Sequence, residues 1–352
     1  MEPKVEGEPV YHRHYVAITV VAIISVVVGW LLYQEIKNYD FADIWDKITH
    51  FPVSRLALAL GLTVINFAVL VGYDWLAVRG IGHPLPFRRI AMASFIGYAI
   101  SNTLGALVGG SAVRFRLYSS WGLSVVEVLR LIALLGLIFW LGVFMLAGVT
   151  FLVAPLEIPP YLHQVLPFRT VQPLGALLLS LVAVYLVVCA VWHKPLRFMG
   201  RELSLPSVSS SICQLTVASC DMALASTVMY VLLPDACQLS PLQFLSIYLL
   251  AWVTVVVLHA PGGAAVFEGI FIYFLANDPH MLAIDPKLKE SIVATIVVWR
   301  VIYFILPVSI AGPMLGFYEL RRGLRKREVN KAILSHRGEG VKKESSAENA
   351  AS

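Results

Sequence analysis

The chain has 352 residues, of which 58% are hydrophobic and 14% are charged, and its mean hydropathy is +0.77. Soluble proteins carry roughly 25% charged residues, so this composition excludes an ordinary soluble domain. The net charge of +5 does not indicate a nucleic-acid partner, because the basic residues sit mainly in short loops, as in the cytoplasmic loops of membrane proteins.

Apolar segments long enough to cross a bilayer recur along the chain. The first, 16–33, is longer than a signal-peptide core and has no small-residue cleavage site, so we predict that it remains as a membrane anchor. Further membrane segments are predicted at 53–78, 123–153, 173–192, 207–233, 242–258, 263–276 and 291–318.

Two apolar segments do not have the pattern of a continuous span. Glycines interrupt 90–113, and the apolar helix at the end of 259–276 has about 14 residues, or some 21 Å against a hydrocarbon core of about 30 Å. Irregular backbone persists at membrane depth only where protein or a water-filled cavity shields it. The sequence therefore predicts an all-α polytopic membrane protein with about eight membrane segments and broken or re-entrant helices near 90–113 and 259–276.

The positions of the basic residues predict the orientation. Clusters within 79–89, 194–201 and 321–327 all face the cytoplasm if both termini are cytoplasmic and 90–113 is re-entrant. Beyond residue 329 the chain is polar and poor in aromatic residues, which is typical of disorder. The predicted regions are a cytoplasmic N-terminal segment, 1–15, a transmembrane domain, 16–320, and a cytoplasmic tail, 321–352, that is first basic and then disordered.

Ionisable residues inside the predicted spans are candidates for a functional site. Each costs about 2.5–3.5 kcal/mol on insertion scales, so each needs a partner or a purpose. Asp74, Asp221, Glu268 and Arg300 are such residues, and Asp221 shares a small and polar helix face with Gln214. Two interpretations stay open: the acids and the arginine neutralise one another, or they line a polar cavity for a charged substrate. The neighbouring broken helices favour the cavity.

A glycine-rich turn precedes two arginines in the first broken segment. Gly109 and Gly110 let the backbone approach a ligand, and the guanidinium groups of Arg114 and Arg116 match a phosphate. The alternative is that the glycines only permit close helix packing while the arginines mark the cytoplasmic face.

A second break, Pro261, Gly262 and Gly263, precedes the short helix that carries Glu268. The N-terminus of such a half-helix carries partial positive charge and can face an anion. The sequence contains no P-loop, no hydrolase motif and no metal-ligand spacing, so we expect neither a metal nor another cofactor, and neither a nucleotide-driven pump nor a conventional hydrolase.

Several motifs, taken in order, are similar to those of one family. They are GYDW at 72–75, SFIGYAISN at 94–102, GGS at 109–111, RFRLY at 114–118, WGLS at 121–124, PGGAAVFE at 261–268 and RVIY at 300–303. In this order they resemble the transmembrane flippase domain of the lysylphosphatidylglycerol synthetase/flippase family, which is MprF-like and includes stand-alone YbhN-like members.

The resemblance implies a multi-pass protein of the bacterial inner membrane that moves phospholipids, notably lysylphosphatidylglycerol and other aminoacylated lipids, between leaflets. It associates Asp74, Glu268 and Arg300, and also Asp221, with this movement. The candidate headgroup residues are then Asp74, Asn102, Arg114, Arg116, Asp221, Glu268, Arg300 and Tyr303, with Gly109, Gly110, Pro261, Gly262 and Gly263 as loop or hinge positions.

In the bifunctional relatives a soluble aminoacyl-transferase domain follows the membrane part. The chain ends before such a domain, so we expect no enzyme activity of that kind. The expected partners are anionic or aminoacylated membrane phospholipids, a second copy of the chain, and a separately encoded lipid synthetase. The alternatives are an intramembrane enzyme acting on a lipid-linked substrate, a non-transporting partner subunit of a lipid synthetase, and a small-solute transporter.

Overall fold

The computed structural model describes residues 41–104, 109–158, 168–192, 196–198, 201–203, 207–258, 264–275, 285 and 287–324. The chain divides into two compact units, Ile24–Val308 and a second that combines Met1–Ile23 with Ser309–Ser352. All of the predicted site residues belong to the first unit.

The described part of the first unit consists of helices and one short hairpin. The helices are α1 Phe41–Thr49, α2 Val53–Ile81, α3 Phe87–Leu104, α4 Ser111–Ser120, α5 Val125–Val153, α6 Gln172–Val191, α7 Val208–Tyr230, α8 Pro241–Leu258, α9 Ala264–Leu275 and α10 Leu288–Arg300. The strands β1 Leu196–Phe198 and β2 Arg201–Leu203 pair antiparallel. A π-helical turn, Val301–Ile305, follows α10. In the second unit, the described residues 309–324 are α-helical.

Local sequence signals determine where several helices begin and end. Ser124 and Glu127 form a capping box at the start of α5, in which each side chain bonds the other residue's backbone N–H. The Ser207 hydroxyl accepts from the Ser210 N–H and caps α7 in the same way. Gly82 ends α2 with a φ of 78°, a left-handed conformation that glycine adopts without steric cost.

Close backbone contact joins the longest helices. A Cβ atom at Gly142 of α5 would overlap Ala218 of α7, and the Ser219 hydroxyl donates to the Gly142 carbonyl at 3.2 Å. A Cβ at Gly148 would lie 3.1 Å from the Gly175 carbonyl of α6. Small residues at helix crossings let membrane helices approach closely, which gains dispersion energy where lipid offers no hydrophobic driving force.

Within the described residues, five helices are long and apolar enough to cross a membrane: Val53–Ile81, Val125–Val153, Gln172–Val191, Val208–Tyr230 and Leu288–Leu324. Large apolar side chains such as Val64, Leu137 and Val184 point outward from them, as expected where lipid replaces water as the solvent. A shorter apolar helix is found at Pro241–Val255.

The predicted all-α polytopic fold is confirmed. The segment 90–113 is divided between α3 and α4, which end and begin at Leu104 and Ser111, and the short helix predicted near 263–276 is the 12-residue α9. The first predicted span, 16–33, lies outside the described residues, so the total of about eight membrane segments stays a prediction.

Candidate functional site

A buried ion pair joins α2 to α4. The Arg114 Nε and Nη2 groups donate to the two oxygens of Asp74 at 3.3 and 3.2 Å, and the Tyr118 hydroxyl donates to Asp74 Oδ1 at 2.8 Å. The exposed fraction of the side chains is 7% for Arg114 and 0% for Asp74. Arg114 and Tyr118 lie four residues apart on one face of α4, so a single helix presents both donors to the carboxylate.

The neighbouring helix α3 completes the surroundings of this pair. The Arg114 guanidinium lies 4.2 Å from the centre of the Tyr98 ring, a distance typical of a cation–π contact. A Cβ atom at Gly97 would lie 3.0 Å from Arg114 Cζ, so glycine leaves the room that the guanidinium occupies. A Cβ at Gly110 would overlap the Ser101 side chain, which shows that this glycine allows α3 and α4 to pack closely.

Asp221 lies in the middle of α7 and is bonded differently. The Asn66 amide donates to Asp221 Oδ1 at 2.8 Å and to the Asp221 carbonyl at 2.9 Å, and the Tyr73 hydroxyl lies 3.3 Å from Oδ2. Both donors are on α2 and both are neutral. The side-chain face predicted from Gln214 and Asp221 is buried in the structure.

The π-helical turn adds a further member to this cluster. The Tyr303 hydroxyl donates to Asn66 Oδ1 at 2.7 Å, so Asn66 connects Tyr303 to Asp221. Pro307 has no N–H to offer the carbonyl four residues earlier, and the wider turn accommodates the change in hydrogen bonding.

A second ion pair joins α9 to α10. Arg300 donates from Nη2 to Glu268 Oε1, and the exposed fraction of the side chains is 12% for Arg300 and 16% for Glu268. The residues that precede the pair in sequence form an aromatic stack: the Trp299 ring stacks against Phe267 at 5.6 Å and against Tyr303 at 6.0 Å between centroids. The Glu268–Arg300 pair is therefore less enclosed than the Asp74–Arg114 pair.

These groups form a connected series that we call the polar chain. Tyr98 and Tyr73, whose ring centroids are 6.1 Å apart, connect the first ion pair to Asp221. The series runs from Arg114 and Asp74 through Tyr98, Tyr73, Asp221, Asn66 and Tyr303 to Trp299, next to Arg300 and Glu268.

The structure places the remaining predicted residues as follows. Arg116 is exposed on α4, and Asn102 is half-buried near the end of α3. The hinge residues Pro261, Gly262 and Gly263 lie outside the described residues. Within the part of the chain that the structure describes, no three His, Cys, Asp or Glu side chains are grouped as a metal site.

Five residues of the site were not predicted from the sequence, namely Asn66, Tyr73, Tyr98, Tyr118 and Trp299, although the first four carried a signal. Tyr73 and Tyr118 belong to the quoted motifs GYDW and RFRLY, beside Asp74 and one turn from Arg114. Tyr98 lies within SFIGYAISN, and Asn66 is a lone amide in the middle of an apolar span.

The match to a known protein family includes every residue of the polar chain. The family described as "Lysylphosphatidylglycerol synthase TM region" matches residues 17–312. The "Inner membrane protein YbhN" of Escherichia coli is 32% identical over 289 residues, which are 82% of this chain and 87% of that protein. The "Uncharacterized protein slr0712" of Synechocystis is 35% identical over 296 residues, which are 84% of this chain and 88% of that protein.

Proposed function

The chain belongs to the lysylphosphatidylglycerol synthase transmembrane family, as its motifs predicted, and from this premise we propose that it moves phospholipid headgroups between leaflets without changing them chemically. The observation that carries the proposal is the Glu268–Arg300 ion pair, which lies in apolar helices and keeps part of each side chain accessible.

The two ends of this pair match the two ends of an aminoacylated or zwitterionic headgroup. The planar guanidinium of Arg300 suits a phosphate, and the carboxylate of Glu268 suits an ammonium group. A headgroup that enters between them exchanges one set of charge pairs for another. The cost of moving its charges out of water is thereby reduced, since each charge finds a partner inside the membrane.

The other ion pair is better suited to holding the helices together. Asp74 accepts two bonds from Arg114 and one from Tyr118, and the pair is almost wholly enclosed. Releasing either partner would leave an uncompensated buried charge, which costs about 3–5 kcal/mol. We assign this pair to fixing α4 against α2 and the Glu268–Arg300 pair to the headgroup.

The aromatic stack beside Arg300 supports the same assignment. Phe267 and Trp299, the sequence neighbours of Glu268 and Arg300, form a buried stack with Tyr303. Such surfaces accommodate the glycerol and upper acyl region of a lipid and can also attract its ammonium group. A pathway bounded by both charged and aromatic groups fits an amphiphile better than a small polar solute.

The proposed location of the protein is the bacterial inner membrane, with both termini in the cytoplasm. One relative is named as an inner membrane protein, and the helices Val53–Ile81 and Val125–Val153 have the length and apolarity of membrane spans. The predicted orientation can be measured by the accessibility of tags placed at each terminus to a membrane-impermeant reagent in intact cells.

Reconstitution into vesicles tests lipid movement directly. Vesicles that contain labelled phosphatidylglycerol, lysylphosphatidylglycerol or phosphatidylethanolamine are treated with an impermeant reagent that destroys the label in the outer leaflet. The parent protein should expose lipid from the inner leaflet faster than protein-free vesicles do, and mass spectrometry should recover that lipid unchanged.

The variants Glu268→Gln and Arg300→Gln keep side-chain size and remove one charge each. Each should slow lipid exposure at least about tenfold, which corresponds to a loss of roughly 1.4 kcal/mol of barrier lowering. Arg55→Gln is the matched control, because Arg55 also pairs with a carboxylate, that of Asp235, but at the exposed end of α2. Lipid exposure at the parental rate in both site variants would contradict the proposal.

A further inference from the structure

Asp221 differs from the other two carboxyls of the polar chain. Asp74 and Glu268 each accept from a guanidinium group, whereas the described donors to the Asp221 side chain are the Asn66 amide and the Tyr73 hydroxyl. The side chain is buried in the middle of a helix that is apolar enough to cross the membrane. We propose that Asp221 is a proton-binding site that couples lipid movement to a proton gradient, an inference that rests on the proposed function.

The charge of the Asp221 carboxyl depends on a balance between the cost of burial and the hydrogen bonds that it accepts. A carboxylate at the centre of a membrane helix costs about 2.5–3.5 kcal/mol on insertion scales, and hydrogen bonds from neutral donors to a charged group return about 1.5–3 kcal/mol each, so the charged and the protonated states of Asp221 are close in free energy. A proton taken up from water on Oδ2 removes the charge, and its release restores the carboxylate. No bond other than O–H is formed or broken in this exchange.

Among the described residues, the groups that face Asp221 from the packed helices supply no compensating positive charge. Its titratable neighbours are phenols: Tyr73 from α2, Tyr98 from α3, Tyr248 from α8 and Tyr303 from the π-helical turn. Two other packed helices meet α7 through neutral groups, at Gly142 of α5 and at Tyr185 and Cys189 of α6, while Thr295 of α10 donates to the Leu232 carbonyl just beyond the end of α7.

The arrangement suits a proton rather than a metal cation. An alkali or alkaline-earth ion needs several oxygen ligands, but the groups that point at the Asp221 carboxylate are an N–H and an O–H. The amide oxygen of Asn66, which could act as a ligand, already accepts from Tyr303. A protonated carboxyl can donate to Tyr73 Oη instead of accepting from it, so the site accommodates both states with small rotations.

The coupling follows the hydrogen bonds that leave Asp221. Asn66 holds Asp221 with its amide nitrogen and Tyr303 with its oxygen, and Tyr303 stacks on Trp299, which precedes Arg300. The negative charge of Asp221 strengthens the bond from Asn66, because hydrogen bonds to ionised groups are about twice as strong as neutral ones. Protonation of Asp221 weakens its hydrogen bond from Asn66. Asn66 then restrains Tyr303 less, so the π-helical turn can move together with Arg300.

Infrared difference spectroscopy tests the proton site independently of lipid movement. The purified full chain in vesicles is taken through a pH cycle, and the C=O stretch of a protonated carboxyl, which shifts in heavy water, is followed. The parent should gain this band on acidification, and isotope-labelled aspartate should shift it. Asp221→Asn should lose the band, whereas Asp46→Asn, which removes an exposed carboxyl on α1, should keep the buried-carboxyl band.

An unaltered band in Asp221→Asn, or no aspartate-derived band in the labelled parent, would overturn the proton site. The second of these measurements uses the parent alone, so it remains decisive if the variant does not fold. Asp221→Glu keeps a titratable group and should restore a pH-dependent carboxyl band that aspartate labelling no longer shifts.

An imposed pH gradient tests the coupling. The parent should redistribute labelled lipid in the direction set by the gradient. A pH-sensitive dye trapped inside the vesicles should report a change in internal pH as the lipid moves. Asp221→Asn should move lipid without responding to the gradient. Equal gradient responses in both proteins would overturn the coupling. If the parent moves no lipid at all, the proposed function fails and the coupling fails with it, while the infrared band still decides whether Asp221 binds a proton.

Discussion

The Arg114 guanidinium of α4 donates two hydrogen bonds, of 3.3 and 3.2 Å, to the two carboxylate oxygens of Asp74 in α2. The contact joins residues 40 positions apart in sequence and connects α4 to α2. Both partners of this pair are enclosed, whereas the Glu268–Arg300 pair is more accessible. Substitutions in the enclosed pair should therefore mainly lower the stability of the protein, and substitutions in the accessible pair should mainly slow lipid movement.

Breaking the enclosed pair should destabilise the protein strongly. Arg114→Leu leaves the Asp74 charge buried and unpaired and should cost about 3–5 kcal/mol, whereas replacing both residues by leucine should recover most of the loss. Thermal unfolding of the purified proteins in detergent measures the difference. A double variant that is as unstable as Arg114→Leu would show that the enclosed charge is not the cause.

The contact between α5 and α7 predicts a different kind of sensitivity. Gly142→Ala introduces a Cβ that overlaps Ala218, so it should cost roughly 1–3 kcal/mol through forced separation of the two helices. Gly136→Ala, on the exposed side of the same helix, has nothing within 4 Å of the new atom and should be neutral. The melting temperatures of the two variants give the comparison directly, and equal values would argue against a close crossing at Gly142.

A pH-dependent contribution is expected outside the membrane segments, at Asp285. Burial acts to raise the pKa of this carboxyl, but hydrogen bonds from the Ser291 hydroxyl and the Lys287 N–H, together with the Lys47 ammonium group, lower it overall. A lowered pKa in the folded state means that the contribution to stability is present above the unfolded pKa and is lost as the pH falls through the folded value.

Asp285→Asn should therefore destabilise the protein by roughly 1 kcal/mol near pH 7, and the difference from the parent should shrink below about pH 4, the range of an unfolded aspartate. Asp235→Asn is the control, because the Asp235 side chain is 89% exposed and its pair with Arg55 should contribute little. Stability curves measured over this pH range would exclude the assignment if the gap between Asp285→Asn and the parent stayed constant.

The two functions of Tyr303 can be separated by size-matched substitution. Tyr303→Phe removes the hydroxyl that donates to Asn66 but keeps the stack on Trp299, so its cost should be about 0.5–1.5 kcal/mol. Tyr303→Leu also removes the stacked ring and should cost roughly 1 kcal/mol more. Equal unfolding temperatures for the two variants would show that the ring contributes nothing beyond its hydroxyl.

Apolar runs and the glycines that break them were sufficient to predict the membrane helices among the described residues, but not the short helix α1 or the hairpin of β1 and β2. A run of apolar residues of sufficient length specifies a membrane span almost alone, because unpaired backbone groups are too costly in lipid. The division of 90–113 into two helices was likewise signalled by its glycines, and the burial of Asp221 by the small residues on its helix face.

The pairing of charges could not be predicted in the same way. Glu268 and Arg300 are separated by 32 residues and Asp74 and Arg114 by 40, and nothing in either local sequence specifies which acid meets which arginine. Selection of partners depends on helix rotation and tilt, which side-chain packing across the bundle determines. The close crossing at Gly142 was not identified for the same reason, since many glycines in membrane helices look alike in sequence.

The π-helical turn at Val301–Ile305 also changes the directions in which the side chains on either side of it point. In a regular α-helix, residues three apart are neighbours on one side, so Arg300 and Tyr303 would point toward the same partner. The wider turn spreads them, and Arg300 reaches Glu268 of α9 while Tyr303 reaches Asn66 of α2. One inserted position thus lets a single helix make two different contacts, and removing one residue there would bring Arg300 and Tyr303 back toward the same side of the helix.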